Sequence, residues 1–169
     1  MSRKTLFAYI VCGLIAIAFQ PMSASAATPS LAGSWQFTLT ATTPPTPPVV
    51  LIPGLATFTT DGSAIETDGS EFAPSMTATS AAIRPATPGH GIWQLANTPE
   101  TLYVQYISLV LNADGSLYAR NITTMFLTMN AKRNEFTGTY TTDQVIGTLT
   151  VVLSSGTVSG QLIPHIPLP

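Results

Sequence analysis

Residues 101–129 read TLYVQYISLVLNADGSLYARNITTMFLTM, and the fold class follows from this stretch. Two runs, Thr101–Leu111 and Leu117–Met129, are separated only by Asn112-Ala113-Asp114-Gly115-Ser116. Val, Ile, Thr, Tyr and Phe suit a pleated surface, and Asp-Gly supplies the positive φ angles of a tight turn, so the stretch predicts a long β-hairpin. Apolar residues fall on both faces of each run. A second covering surface is therefore expected, either the segment 71–88 or another subunit.

Ahead of the hairpin, Pro88-Gly89-His90-Gly91-Ile92-Trp93 leads into a short strand at Gly91–Ala96, and Thr98-Pro99-Glu100 turns the chain. Further upstream, Trp35, Phe37 and Leu39 alternate with Gln36, Thr38 and Thr40, the period of a strand with one buried face over Gly33–Ala41. Thr42–Pro53 contains Pro44, Pro45, Pro47, Pro48 and Pro53 and reads as an extended loop. Leu55–Thr60 and Ala64–Thr67 form a hairpin around Asp61-Gly62. Glu71–Gly89 is irregular, with a short helix or outer lid at Ser75–Ile83. Downstream of the hairpin, Lys132-Arg133-Asn134 makes a turn, and Glu135–Thr142 alternates with Phe136, Gly138 and Tyr140 on one face. Val145–Leu153, a turn at Ser154-Ser155-Gly156 and Thr157–Ile163 complete the series. These elements predict an all-β chain of about eight to nine strands in antiparallel up-and-down order. Closure into a barrel removes both exposed edges and is favoured over a sandwich.

The ends set the compartment. Arg3 and Lys4 precede an apolar run of 14 residues, Leu6–Phe19, followed by Ala24-Ser25-Ala26. This is the order of a secretory signal, too short for a membrane span. The chain divides into a signal peptide (1–26), a single barrel domain (27–163) and a proline-rich tail (164–169), with a secreted or periplasmic location. Thr28–Leu31 is expected to be a frayed leader. Cys12 lies within the signal, so the mature chain has neither disulfide nor thiol nucleophile. After removal of the signal, Arg84, Arg120, Lys132 and Arg133 stand against eight carboxylates, a net charge of −4. Without a basic patch, nucleic acid is not an expected partner.

Chemistry-bearing patterns are sparse. The two histidines, His90 and His165, are far apart, and no HExxH, His-x-His or nucleophile elbow occurs. No metal and no cofactor are expected. The Asp-Gly turns lack the ligand spacing of a calcium loop. His90, flanked by glycines that let backbone approach a ligand, is the weak catalytic candidate. The aromatic side chains suggest a cavity. The candidate ligand-binding residues are Trp35, Phe37, Trp93, Tyr103, Tyr106, Tyr118, Phe136 and Tyr140, with Arg120 as a cation that points either inward to a partner or outward to water.

Gly33-Ser34-Trp35 on the first strand resembles the G-x-W signature of lipocalins and the wider calycin superfamily. The span Leu31–Ile163, with Pro88-Gly89-His90-Gly91-x-Trp93 at its middle, is similar to uncharacterised exported bacterial proteins with short calycin-like barrels. The resemblance implies an up-and-down barrel whose base is closed by Trp35, with a small apolar molecule bound inside. Neither the C-terminal helix nor the disulfides of lipocalins can be read here, and biotin binding is not carried over from the avidins. The expectation is a secreted protein binding an apolar ligand. A cofactor-independent cyclase or isomerase using His90, Arg120 and a tyrosine is the first alternative, and a structural or homo-oligomeric assembly module the second.

Overall fold

A computed structural model describes residues 29–43, 50–69, 85–97 and 100–164. Among these lie eight strands: β1 (Gly33–Thr43), β2 (Val50–Phe58), β3 (Ser63–Asp68), β4 (Gly89–Leu95), β5 (Thr101–Leu111), β6 (Leu117–Met129), β7 (Glu135–Ile146) and β8 (Leu149–Leu162). Each pairs antiparallel with the next, and β8 pairs back onto β1, so the sheet is a closed up-and-down barrel without edges. No helix among the described residues is long and apolar enough to cross a bilayer. The signal peptide, residues 44–49 of the proline loop, the whole of the expected lid at 75–83, Arg84, residues 98–99 and residues 165–169 of the tail, His165 included, lie outside the described residues.

The central hairpin forms as its composition requires, with Leu102↔Leu127, Tyr103↔Phe126 and Val104↔Met125 in register. Gly115 takes φ 81° in its turn. The base of the barrel holds the start of β1 and the ends of β2, β4, β6 and β8. There Trp35 is almost completely buried, its ring 5.1 Å from that of Phe136, and its Nε1–H donates to the Leu31 carbonyl at 2.8 Å. Leu31 is fully buried, so this part of the chain is a plug across the base and not the frayed leader that its lack of strand pattern suggested. Trp93 stands at the same end, donating its Nε1–H to Thr59 O at 2.8 Å while its backbone N–H bonds Gly62 O at 2.7 Å. The second G-x-W thus ties β4 to the β2–β3 turn.

Above the plug, Phe37, Phe58, Leu102, Val104, Met125, Leu127, Phe136 and Val158 fill the interior. Glycines make room for the rings. A Cβ at Gly54 would lie 2.3 Å from Phe37 Cζ, and one at Gly160 2.2 Å from Phe136 Cζ. The aromatic plates therefore lie flat on backbone, which a narrow barrel needs.

Three boundaries differ from expectation. Pro53 belongs to β2, opposite Thr38 of β1. The β3 ladder has already ended at Gly54↔Asp68, so a missing N–H on that side leaves no bond unmade. The expected turn at Ser154-Ser155-Gly156 is instead continuous strand within β8. The chain reverses at Gly147-Thr148, between the paired residues Ile146 and Leu149, with Gly147 at φ 59°. Gly156 is small because β1 passes so closely: a Cβ there would meet Thr40 O at 2.0 Å. The described residues accordingly form eight strands, within the expected eight to nine.

Candidate functional site

The interior has two halves of opposite chemistry. Toward the end opposite Trp35, the inward positions of β3, β5, β6 and β7 become polar: Glu66 and Asp68 on β3, Ser108 above Tyr106 on β5, Asn121 and Thr123 on β6, and Tyr140, Thr142 and Gln144 on β7. With Leu39, Ile52, Leu153 and Ser154, all of these except Gln144 line a cavity of about 50 Å³. That is room for about three or four water molecules, or a ligand group of similar size. It is well below the roughly 300 Å³ at which drug-sized pockets begin.

The local sequence places these groups by an inversion. In Ser63-Ala64-Ile65-Glu66-Thr67-Asp68 a hydrophobic pattern would send Ile65 inward. The β2 ladder instead sets Ala64 opposite Phe58, Glu66 opposite Ala56 and Asp68 opposite Gly54, all inward positions. Ile65 is left 50 % exposed on the outer wall while Glu66 is 5 % exposed inside. Burying a carboxylate costs far more than burying an isoleucine, so this register is held by the neighbouring hairpins against local preference.

The polar groups form short networks. Thr123 and Thr142 hydroxyls meet at 2.9 Å, Tyr140 Oη and Ser154 Oγ at 2.7 Å, and Gln144 Nε2–H donates to Asn121 Oδ1 at 3.1 Å. Tyr106 is different. It is 4 % exposed, and its hydroxyl completes no hydrogen bond. Burial, followed by the negative charges of Glu66 and Asp68, holds its pKa well above the ordinary value near 10, against a smaller lowering effect of the Thr123 side chain. Burial also raises Tyr140, with Ser154 opposing and Asp68 adding to the shift. Glu66 and Asp68 thus bring carboxylate charge close to the buried Tyr106, and each is engaged in further interactions of its own. Gly89 lets β4 pass close beside the chamber, since a Cβ there would lie 2.5 Å from the Tyr106 ring and 2.6 Å from Glu66 Oε2.

The candidate residues read from sequence fall into three groups. Tyr106 and Tyr140 line the chamber. Trp35, Phe37, Phe136 and, at the rim of the packed half, Trp93 belong to the apolar core below it. Tyr103, Tyr118 and Arg120 stand on the outer wall: Tyr103 packs edge-on against Phe126 at 5.6 Å, and Arg120 is solvated. His90 also faces outward and is exposed, in register with Ile65 and Ile107, not at a cavity mouth. His90, Arg120 and the interior tyrosines are therefore not brought together. Asn121, within an Asn-x-Thr glycosylation triplet, points into the chamber with a buried Thr123.

Sequence reading missed Glu66, Asp68, Asn121, Thr123, Thr142 and Ser154. Their signal was present only as parity: each shares a strand face with core residues, as Asn121 and Thr123 do with Met125 and Leu127. No group of three or more metal-ligating side chains occurs among the described residues. The two turn aspartates are engaged locally. Asp61 accepts from the Ser63 N–H at 3.2 Å and from Thr59, and Asp114 from the Ser116 N–H and hydroxyl at 3.0 and 2.6 Å, which lowers both pKa values.

Fold and site define an eight-stranded up-and-down β-barrel, compatible with a calycin-like architecture, that could hold a small ligand. No family model, curated protein or solved structure matches the chain.

Proposed function

We propose that this protein is an exported binding protein whose barrel holds a small polar ligand in the chamber around Tyr106. The observation that supports this reading most strongly is the buried polar cluster itself. Glu66 and Tyr106 occupy interior positions where apolar residues would stabilise the barrel more, and such departures from packing logic concentrate at functional sites. The apolar ligand suggested by the aromatic set finds less support. Those aromatics fill the lower barrel, and the space left above them is small and hydroxyl-lined. The cyclase or isomerase alternative needs room to fold an apolar substrate, and the packed half offers none.

The test is to purify the protein from its natural compartment, denature it, and analyse the released small molecules by mass spectrometry with polar-phase separation. The expected result is a stoichiometric polar compound and a mature N-terminus at Ala27. A stoichiometric lipid or terpenoid would overturn the polar reading, and an intact residue 1–26 segment would overturn export.

A second reading, self-association, is favoured by the outer wall. Ile65, His90, Ile107 and Ile122 stand in one hydrogen-bonded row across β3, β4, β5 and β6, with Leu55, Ile92 and Phe126 on the same wall. Ile107 is 40 % exposed. This is the second apolar face of the central hairpin, and among the described residues it is not covered.

A further inference from the structure

Resting on the self-association reading above, we infer that two copies of this chain meet wall to wall about a two-fold axis close to His90, so that the two His90 imidazoles face each other and their protonation separates the copies.

Three observations converge on this contact. First, exposed apolar side chains spread over five neighbouring strands, with Leu55 on β2, Ile65 on β3, Ile92 on β4, Ile107 on β5 and Phe126 on β6. A broad exposed apolar patch marks an interaction surface. A two-fold interface is self-complementary, so the side chain at the centre of the patch meets its own copy. β4 is the middle strand of the five, and its outward position in the isoleucine row is His90, paired with Ile65 on β3 and Ile107 on β5. Second, the charge of the wall favours a second copy as the occupant. β2, β4, β5 and β6 contain no Asp or Glu, and the two carboxylates of β3, Glu66 and Asp68, line the chamber. Copies of a chain of net charge −2 repel least through such a surface. Third, the residues around His90 do not compensate a positive charge. Its outward neighbours are Ile65 and Thr67 on β3, Ile92 on β4, and Ile107 and Leu109 on β5, and none of them titrates. The charged groups further along the wall are Arg120, in register with Leu109 on β6, and Asp143, which continues the row on β7 beyond Ile122. Tyr103 and Tyr118 stand on the outer faces of β5 and β6.

His90 is exposed in the single chain and would be covered in the pair. Covering a charged imidazole costs far more than covering a neutral one, and two facing imidazolium groups also repel. Association therefore requires the neutral form. Each His90 that must release a proton raises Kd about tenfold per pH unit once the free histidine is mostly charged, so the pair can raise it about a hundredfold.

The experiment is light scattering of the mature protein from about 1 to 100 µM, at about pH 7.5 and about pH 5.5, on either side of the range in which histidine changes charge. The parent chain is compared with His90→Gln and His90→Lys. The parent is expected to dimerise at the higher pH and to show a Kd at least about tenfold larger at the lower. His90→Gln, neutral at both values, should dimerise equally at both. His90→Lys, charged at both, should stay monomeric at both, and a urea midpoint matching the parent's shows that its barrel is intact. A parent dimer with the same Kd at both pH values overturns the switch and leaves self-association standing. A pH dependence that persists in His90→Gln also overturns it, since the titrating group is then another, His165 included. His90→Lys dimerising like the parent would place His90 outside the contact and overturn the axis. A parent that is monomeric at the higher pH throughout the range gives the wall to another occupant, the chain's own residues 70–84 or a different partner, and both the switch and self-association fall.

Discussion

Trp35 differs from the other large core residues in having a bond as well as a surface. Its indole N–H is spent on the Leu31 carbonyl, and both residues are buried at the base. Trp35→Phe keeps an aromatic ring there but leaves that carbonyl without its donor, a loss of about 1–3 kcal/mol, to be read as a lower urea midpoint. Tyr106 presents the opposite case. Its hydroxyl is buried without a bond, so Tyr106→Phe should be neutral or raise stability by up to about 1 kcal/mol at pH 8. The substitution also isolates a pH effect. A phenol whose folded pKa is raised contributes stability that is fully present below about pH 10 and is lost as pH rises toward the folded value. Above pH 10 the unfolded chain has released the proton that folded Tyr106 still binds. The gap in urea midpoint between Tyr106→Phe and the parent should therefore widen from pH 8 to pH 11. A gap that stays constant would mean that Tyr106 titrates as if exposed.

At the scale of elements, what could be read from the chain was the strands whose own pattern agrees with their surroundings. β1, β5, β6 and the first part of β7 alternate or run apolar in the way their burial demands, and their bounds follow directly. β3 and β8 do not. The inward face of β3 carries Ala64, Glu66 and Asp68 because β2 fixes its register, and nothing within the six residues reveals that Ile65 faces out. In β8, Ser154-Ser155-Gly156 has the composition of a turn, yet it is continuous strand in which Gly156 is small because β1 presses against it and Ser154 meets the Tyr140 hydroxyl. The chamber was illegible for the same reason, since it is made by neighbours across four or more strands and not by any local motif. A pair of substitutions separates the two kinds of glycine. Gly147→Ala meets no atom within 4 Å and costs only its left-handed φ, about 1–2 kcal/mol. Gly156→Ala drives a methyl into the Thr40 carbonyl, so the β1–β8 seam must open. It should destabilise more than Gly147→Ala and should speed amide exchange specifically along β1 and β8. Equal effects of the two substitutions would return Ser154–Gly156 to a turn.

For the whole molecule, the distribution of chemistry around the barrel matters as much as the fold. On the outer faces of β7, β8 and β1, Thr137, Thr139, Thr157, Ser159, Thr38 and Gln36 form a hydroxyl and amide strip toward the base, while Leu149, Val151 and Val152 are exposed at the other end of β8. At the level of these hydroxyls the apolar outer positions are interrupted on that side of the barrel. The opposite wall, β2 to β6, carries Leu51, Leu55, Ile65, Ile92, Ile107, Leu109 and Phe126 exposed, with Arg120 and His90 among them and no outward carboxylate on those strands. A chain of net charge −2, or −4 once the proposed signal is removed, repels its copies least where its carboxylates are absent. This wall is thus the surface through which two barrels would meet, provided it supplies the roughly 800 Å² per partner of a standard interface. The row Ile65–His90–Ile107–Ile122 lies at its centre. Replacing Ile65 and Ile107 by Lys puts two cations in that row without touching the interior, because both side chains point outward. The parent chain is expected to show a mass in light scattering that rises toward a dimer between about 1 and 100 µM, a range set by interfaces of micromolar affinity. The Ile65→Lys, Ile107→Lys variant should stay monomeric with an unchanged urea midpoint. A parent chain that remains monomeric throughout that range would leave the apolar wall without a role in self-association, whereas a variant that still dimerises would move the contact to another face.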